Sequence, residues 1–117
     1  MNEITIWHNP SCSKSREAMS ILEENNCEAE VVRYLDSTPD ETQIRAVIDM
    51  LGITPRELMR TKEDKYQELK LQNEFRDSVL ILAMAENPKI IERPVIIKGN
   101  RAIIGRPTGK IAEFLNS

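Results

Sequence analysis

The chain has one histidine and two cysteines, Cys12 and Cys27. They do not carry the spacing of a zinc site, so no bound metal is expected. Glycine is equally sparse, at four residues, and none of them builds a phosphate-cradling loop. There is no excess of positive charge: 16 Lys and Arg against 19 Asp and Glu leave a net charge of −3, which argues against a general nucleic-acid binder and makes any anion site a local one. Long apolar runs are missing too. The longest, Val79 to Ala85, is far too short to cross a bilayer, and Met1-Asn2-Glu3 lacks the basic start of a secretory signal, so a cytoplasmic protein with no membrane partner is expected. No internal repeat or low-complexity tract interrupts the chain. Its 117 residues suit a single domain, 1–117, able to bury roughly two-thirds of its unfolded surface without disulfides.

Against this plain background one stretch stands out, His8-Asn9-Pro10-Ser11-Cys12-Ser13-Lys14-Ser15-Arg16. The β-branched and aromatic run Ile4-Thr5-Ile6-Trp7 precedes it, and Ala18, Ile21 and Leu22 follow at helical spacing, so Cys12 sits where a strand hands over to a helix. Free N–H groups and the positive end of the helix dipole favour negative charge there, whether a thiolate or a bound oxyanion. Lys14 and Arg16 add cations, and His8 closes the strand. An isolated cysteine is usually a small buried hydrophobe, and a lone histidine a structural hydrogen-bonder. A core cysteine, however, does not need hydroxyls and cations on both sides. Cys27 has neither, and reads as a passive thiol. A helix between the two would separate them by about 1.5 Å per residue over about a dozen residues, too far for a disulfide.

The elements follow in order. A strand over about Glu3 to His8, a helix over about Ser13 to Asn25 and a strand over Ala29 to Leu35 form a right-handed βαβ unit with parallel strands. Thr38-Pro39-Asp40-Glu41 reads as a capping box with proline at the first helical position, opening a helix that buries Ile44, Val47, Ile48 and Leu51 and stops at Gly52. Thr54-Pro55-Arg56-Glu57 starts a shorter helix carrying Leu58, Met59 and Arg60. A turn and short helix occupy 61–75, and Asp77-Ser78 caps an apolar helix from Val79 to Glu86. These helices form an insertion over about 38–88. Pro94 to Ile97 and Ala102 to Ile104 then make an antiparallel hairpin around Gly99-Asn100, and a last helix starts near Thr108. The order βαβ, helical insertion, ββα is a thioredoxin-like α/β layout, a mixed sheet with helices on both faces.

The segment His8-Asn9-Pro10-x-Cys12-x-x-Ser15-Arg16, with Arg60, the pair Arg93-Pro94 and the pair Arg106-Pro107, resembles the glutaredoxin-coupled arsenate reductases and their close bacterial relatives, over essentially the whole chain. The resemblance implies that Cys12 is the nucleophile toward arsenate or a similar oxyanion. It implies that Arg60, Arg93 and Arg106 bind that oxyanion, a role suited to guanidinium forks. His8 and Ser15 would support the thiolate by charge and by hydrogen bonding. Glutathione, as co-substrate, and then glutaredoxin would supply the electrons, with no bound cofactor, and a monomer is expected. Arg56, Arg76 and Arg101 are read as solvated surface charges.

Two other functions fit parts of the pattern. A monothiol, glutathione-dependent thiol-disulfide oxidoreductase fits Cys12-x-x-Ser15, which lacks a resolving cysteine, but leaves the three arginines without an oxyanion. A non-enzymatic regulator resembling the Spx proteins shares the layout, but would carry a second cysteine where Ser15 stands.

Overall fold

The computed structural model describes residues 4–116, so Glu3, expected to open the first strand, lies outside the described residues. The chain divides into two compact units, one of Met1–Ser37 with Arg93–Ser117, the other of Thr38–Glu92.

The first unit holds strands β1 (Ile4–Trp7), β2 (Ala29–Val32), β3 (Val95–Lys98) and β4 (Arg101–Ile104), with helices α1 (Ser13–Glu24) and α5 (Lys110–Leu115). The sheet order is β2-β1-β3-β4. β1 and β2 run parallel, Ile4 beside Ala29 and Trp7 beside Val32, as a strand-helix-strand crossover requires. β3 lies antiparallel to β1, and β4 antiparallel to β3. Residues two apart on a strand share a face. Ile4, Ile6 and Ile96 therefore meet Ala18 and Leu22 of α1 and Ile111 and Leu115 of α5 in one core. Each of the larger apolar side chains contributes about 1.5–3 kcal/mol by leaving water. The hairpin turns through Gly99, whose φ of 61° is the left-handed conformation that a two-residue turn demands.

β2 stops at Val32, short of the expected Leu35. The chain turns instead, with the amides of Asp36 and Ser37 both bonded to the carbonyl of Arg33. Tyr34 is fully buried without being in the strand. α5 likewise begins at Lys110, after a turn in which Lys110 and Ile111 donate to Pro107 and Thr108.

In the second unit α2 (Glu41–Leu51) packs Ile44, Val47 and Ile48 toward α4 (Asp77–Glu86), whose Leu80, Ile81, Ala83 and Met84 are buried. Between them lie a 3₁₀ turn at Pro55–Leu58, the short α3 (Asp64–Glu68) and a 3₁₀ turn at Leu71–Asn73. The capping box of α2 is Asp40 with Gln43, each side chain bonded to the other's amide at 2.8 and 3.0 Å. It is not the expected Thr38 box, and Pro39 precedes the helix. The Thr54–Glu57 box forms as expected, but its helix is a single 3₁₀ turn, because Met59 leaves to bridge Ile91 as an isolated β pair. Arg76, not Asp77, is the N-cap of α4. No helix among the described residues is long and apolar enough to cross a membrane.

Candidate active site

The loop after β1 is held by its own backbone. His8 donates to the Val32 carbonyl at 2.8 Å, which ends the pairing with β2, and Cys12 donates to the Asn9 carbonyl at 3.0 Å. The Asn9 side chain accepts from Ser11, and Arg16 Nη1 reaches back to the Pro10 carbonyl at 3.0 Å. Cys12 is thereby set, in extended conformation, as the N-cap of α1.

That position governs its thiol. Burial, at 8% exposure, acts to raise the thiol pKa, but the Ser15 amide, the Arg93 guanidinium and the Lys14 amide together outweigh it and lower the pKa. Arg93 acts through charge and hydrogen bonding, the two amides through the open N-terminus of the helix. A second guanidinium is present as well: Arg106 Nη2 lies 3.5 Å from Cys12 Sγ, while Arg106 Nε donates to the Arg93 carbonyl at 2.7 Å. Both arginines precede prolines across cis peptide bonds at the rim of the hairpin. Arg93 Nε and Nη1 are buried.

Behind the cysteine, Ser15 is fully buried and its Oγ lies 2.6 Å from His8 Nδ1 and accepts from the Asn9 amide at 3.0 Å. Desolvation, then the charges of Arg33 and Arg16, lower the His8 pKa, so the imidazole is uncharged at neutral pH. His8 Nδ1 is thus placed against Ser15, and the group that acts on the Cys12 thiol through its charge is Arg93.

Cys12, His8, Ser15, Arg93 and Arg106 all belong to the first unit, and β1, α1 and the hairpin bring them together. Arg60 belongs to the second unit, where its guanidinium pairs with Glu63 at 3.0 Å and its amide donates to Ile90. Lys14 contributes its amide, while its ammonium pairs with Glu17 on the surface at 3.5 Å. Cys27 is half-buried against the core, its thiol bonded to the Asn25 carbonyl at 3.5 Å. Among residues read as surface charges, Arg56 is a correction: it donates to the Tyr66 hydroxyl, to the Leu71 carbonyl at 2.9 Å and to the Glu74 carbonyl. Arg101 lies over the Phe114 ring, 5.4 Å from its centre, and Arg76 pairs with Glu74 in solvent. Asn9 belongs to the sequence motif without a role of its own there, and Arg33 lies outside it. Arg33 carries no local signal and reaches His8 only because β1 and β2 run side by side.

A helix N-terminus, a lowered thiol and two guanidinium groups make a setting in which a thiolate can meet a tetrahedral oxyanion, with hydrogen-bond donors for the oxygens and a nucleophile for the central atom. Known proteins share this chain's layout. A protein of Neisseria meningitidis serogroup A named arsenate reductase is 44% identical over 117 residues, covering 98% of this chain and all of its own length. The uncharacterized protein YfgD of Escherichia coli K12 is also 44% identical, covering 97% of each chain. The solved structure of an arsenate reductase from Vibrio cholerae superposes with a TM-score of 0.91 at 39% identity, over 94% of this chain and 95% of that one. The ArsC family model matches residues 7–114, and the chain belongs to the ArsC family.

Proposed function

We propose that this chain is an arsenate reductase in which the Cys12 thiolate attacks arsenic and glutathione with glutaredoxin supplies the electrons. The observation that carries the reading is the placing of Arg106 Nη2 3.5 Å from a thiol whose pKa is lowered partly by Arg93. A free thiolate needs one compensating cation; a thiolate beside a multiply charged oxyanion needs more, and forked ones. Attack by Cys12 forms an As–S bond and expels one arsenate oxygen as water. A glutathione thiol displaces a second oxygen as water. A glutaredoxin thiolate then takes the glutathione sulfur, the As–S electron pair stays on arsenic, and As(V) becomes As(III). Water releases arsenite from Cys12, and another glutathione resolves the mixed disulfide on glutaredoxin. In sum, arsenate and two glutathione thiols give arsenite, glutathione disulfide and water.

The family resemblance extends the oxyanion role to Arg60. The setting is the cytoplasm, where glutathione is kept reduced, and the working form is a monomer. Ser15, buried and bonded to His8, serves the frame and not a redox step, so Cys12 has no resolving partner in its own loop and external thiols are required. The test is arsenate-dependent NADPH oxidation with glutathione, glutaredoxin and glutathione reductase, omitting each in turn. Loss of turnover on each omission supports the scheme. Turnover that persists without glutaredoxin rejects its place in it.

A further inference from the structure

Arg106, whose Nη2 lies 3.5 Å from Cys12 Sγ, follows a glycine packed against Pro94 and Ile111. Gly105 is buried, and its amide donates to the Pro94 carbonyl at 2.8 Å, carrying the β3–β4 pairing one step past Ile104. A Cβ at Gly105 would lie 3.0 Å from Pro94 Cγ and 3.0 Å from Ile111 Cδ1. Pro94 and Ile111 are both fully buried, so neither side can give way into solvent. The backbone then bends sharply, Arg106 donating to the Ile104 carbonyl at 2.8 Å, and the side chain leaves toward the Arg93 carbonyl and the Cys12 sulfur.

We propose that Gly105 is a positioning residue of the anion site: its missing side chain lets the end of β4 close onto Pro94 and Ile111, and that closure sets Arg106 against Cys12. The consequence for oxyanion binding rests on the function proposed above; the placement of Arg106 does not. A Cβ at 105 makes its neighbours or the strand end give by a few tenths of an ångström, and Arg106 moves with the strand end; misplacing a group at a reacting centre by about 1 Å can cost about 10²-fold.

The experiment uses the full chain and four variants: Gly105→Ala, Arg106→Ala, the two combined, and Gly105→Ala with Ile111→Val, which removes the clashing Cδ1. Folding is followed by circular dichroism, and oxyanion affinity by the arsenate concentration that half-protects Cys12 from iodoacetamide. Gly105→Ala is expected to stay folded and to raise that concentration by about tenfold, below the roughly 10²-fold that a full displacement of about 1 Å can cost. The combined variant should be no weaker than Arg106→Ala alone, because both act through one group. Ile111→Val should restore part of the loss, and it is the background to use if Gly105→Ala alone does not fold. Parent-like affinity in Gly105→Ala, or losses that add with Arg106→Ala, overturn the proposal. A crystal structure of Gly105→Ala separates the two readings. Arg106 still 3.5 Å from Cys12 removes the positioning role. Arg106 displaced, in a parent chain that arsenate does not protect, removes the oxyanion reading and leaves the positioning role standing.

Discussion

Ser15 Oγ stands 2.6 Å from His8 Nδ1, and the same oxygen accepts the Asn9 amide at 3.0 Å. One hydroxyl thus ties the end of β1, the Cys12 loop and the first turn of α1 together. Both side chains are buried, so the bonds are made out of reach of water. An uncharged imidazole can take the hydroxyl proton at Nδ1, which fits the lowered His8 pKa.

His8 is the only histidine in the sequence, so its ring protons can be followed without assignment ambiguity. A proton NMR titration is expected to give a midpoint below 6.5, the ordinary histidine value. The sign for stability follows. Because the folded chain disfavours the imidazolium, its stability falls as pH drops from the ordinary value through the folded one, and urea unfolding of His8→Gln should lose part of that acid-side decline. A midpoint at or above 6.5 contradicts an uncharged His8 bonded to Ser15.

Ser15→Ala strips the His8 nitrogen and the Asn9 amide of their partner. Each is buried or half-buried, and leaving such groups unmade costs about 1–3 kcal/mol. Urea unfolding is expected to show a loss in that range. A change below about 0.5 kcal/mol, typical of surface sites, would mean that the pair does not hold the loop.

Cys12 is expected to react with iodoacetamide with a midpoint below that of an ordinary thiol, and Arg93→Gln should move the midpoint up by removing one of the groups that lower it. Since the folded chain favours the thiolate, this group stabilises the fold fully above the unfolded thiol pKa, and that contribution fades as pH falls through the folded value. Cys12→Ser should flatten the corresponding rise in stability. An unchanged midpoint in Arg93→Gln would remove Arg93 from the electrostatics of the thiol.

Arg56 joins the 3₁₀ turn at Pro55–Leu58 to Tyr66, Leu71 and Glu74 in the second unit. Hydrogen bonds from a charged donor contribute about 1.5–3 kcal/mol each when isolated, so Arg56→Ala should destabilise by about 2–4 kcal/mol once the partners rehydrate. Arg76→Ala, at a solvent-exposed pair, should cost well under 1 kcal/mol. Equal effects from the two would contradict the clamp.

What could be read from the chain followed how local the signal was. β1, α1 and the hairpin around Gly99-Asn100 announce themselves through period-two and helical spacing and through turn chemistry. Cys12, His8 and Ser15 lie within eight residues of one another, so their grouping is a local reading too. Thr38 heads the capping pattern that the sequence marks, but the pair that closes is Asp40 with Gln43. Tyr34 and Leu35 look like strand because apolarity marks burial as well as pairing, and Tyr34 is buried in a turn. Long-range relations carry no local signal, and the grouping of Arg106 with Cys12 came through the family resemblance alone. Arg56 finds partners 10, 15 and 18 residues away, and Arg106 meets Cys12 across 94, which only sheet topology brings about.

The central claim is that Cys12, in its arginine-lined loop, reduces arsenate. Arsenite formed from arsenate, measured by arsenic speciation with glutathione and glutaredoxin present, tests it most directly in the parent chain, Cys12→Ser and Cys27→Ser. The expected result is arsenite in the parent and in Cys27→Ser and none above background in Cys12→Ser. Arsenite production that survives Cys12→Ser, or a folded parent that forms none, would contradict it.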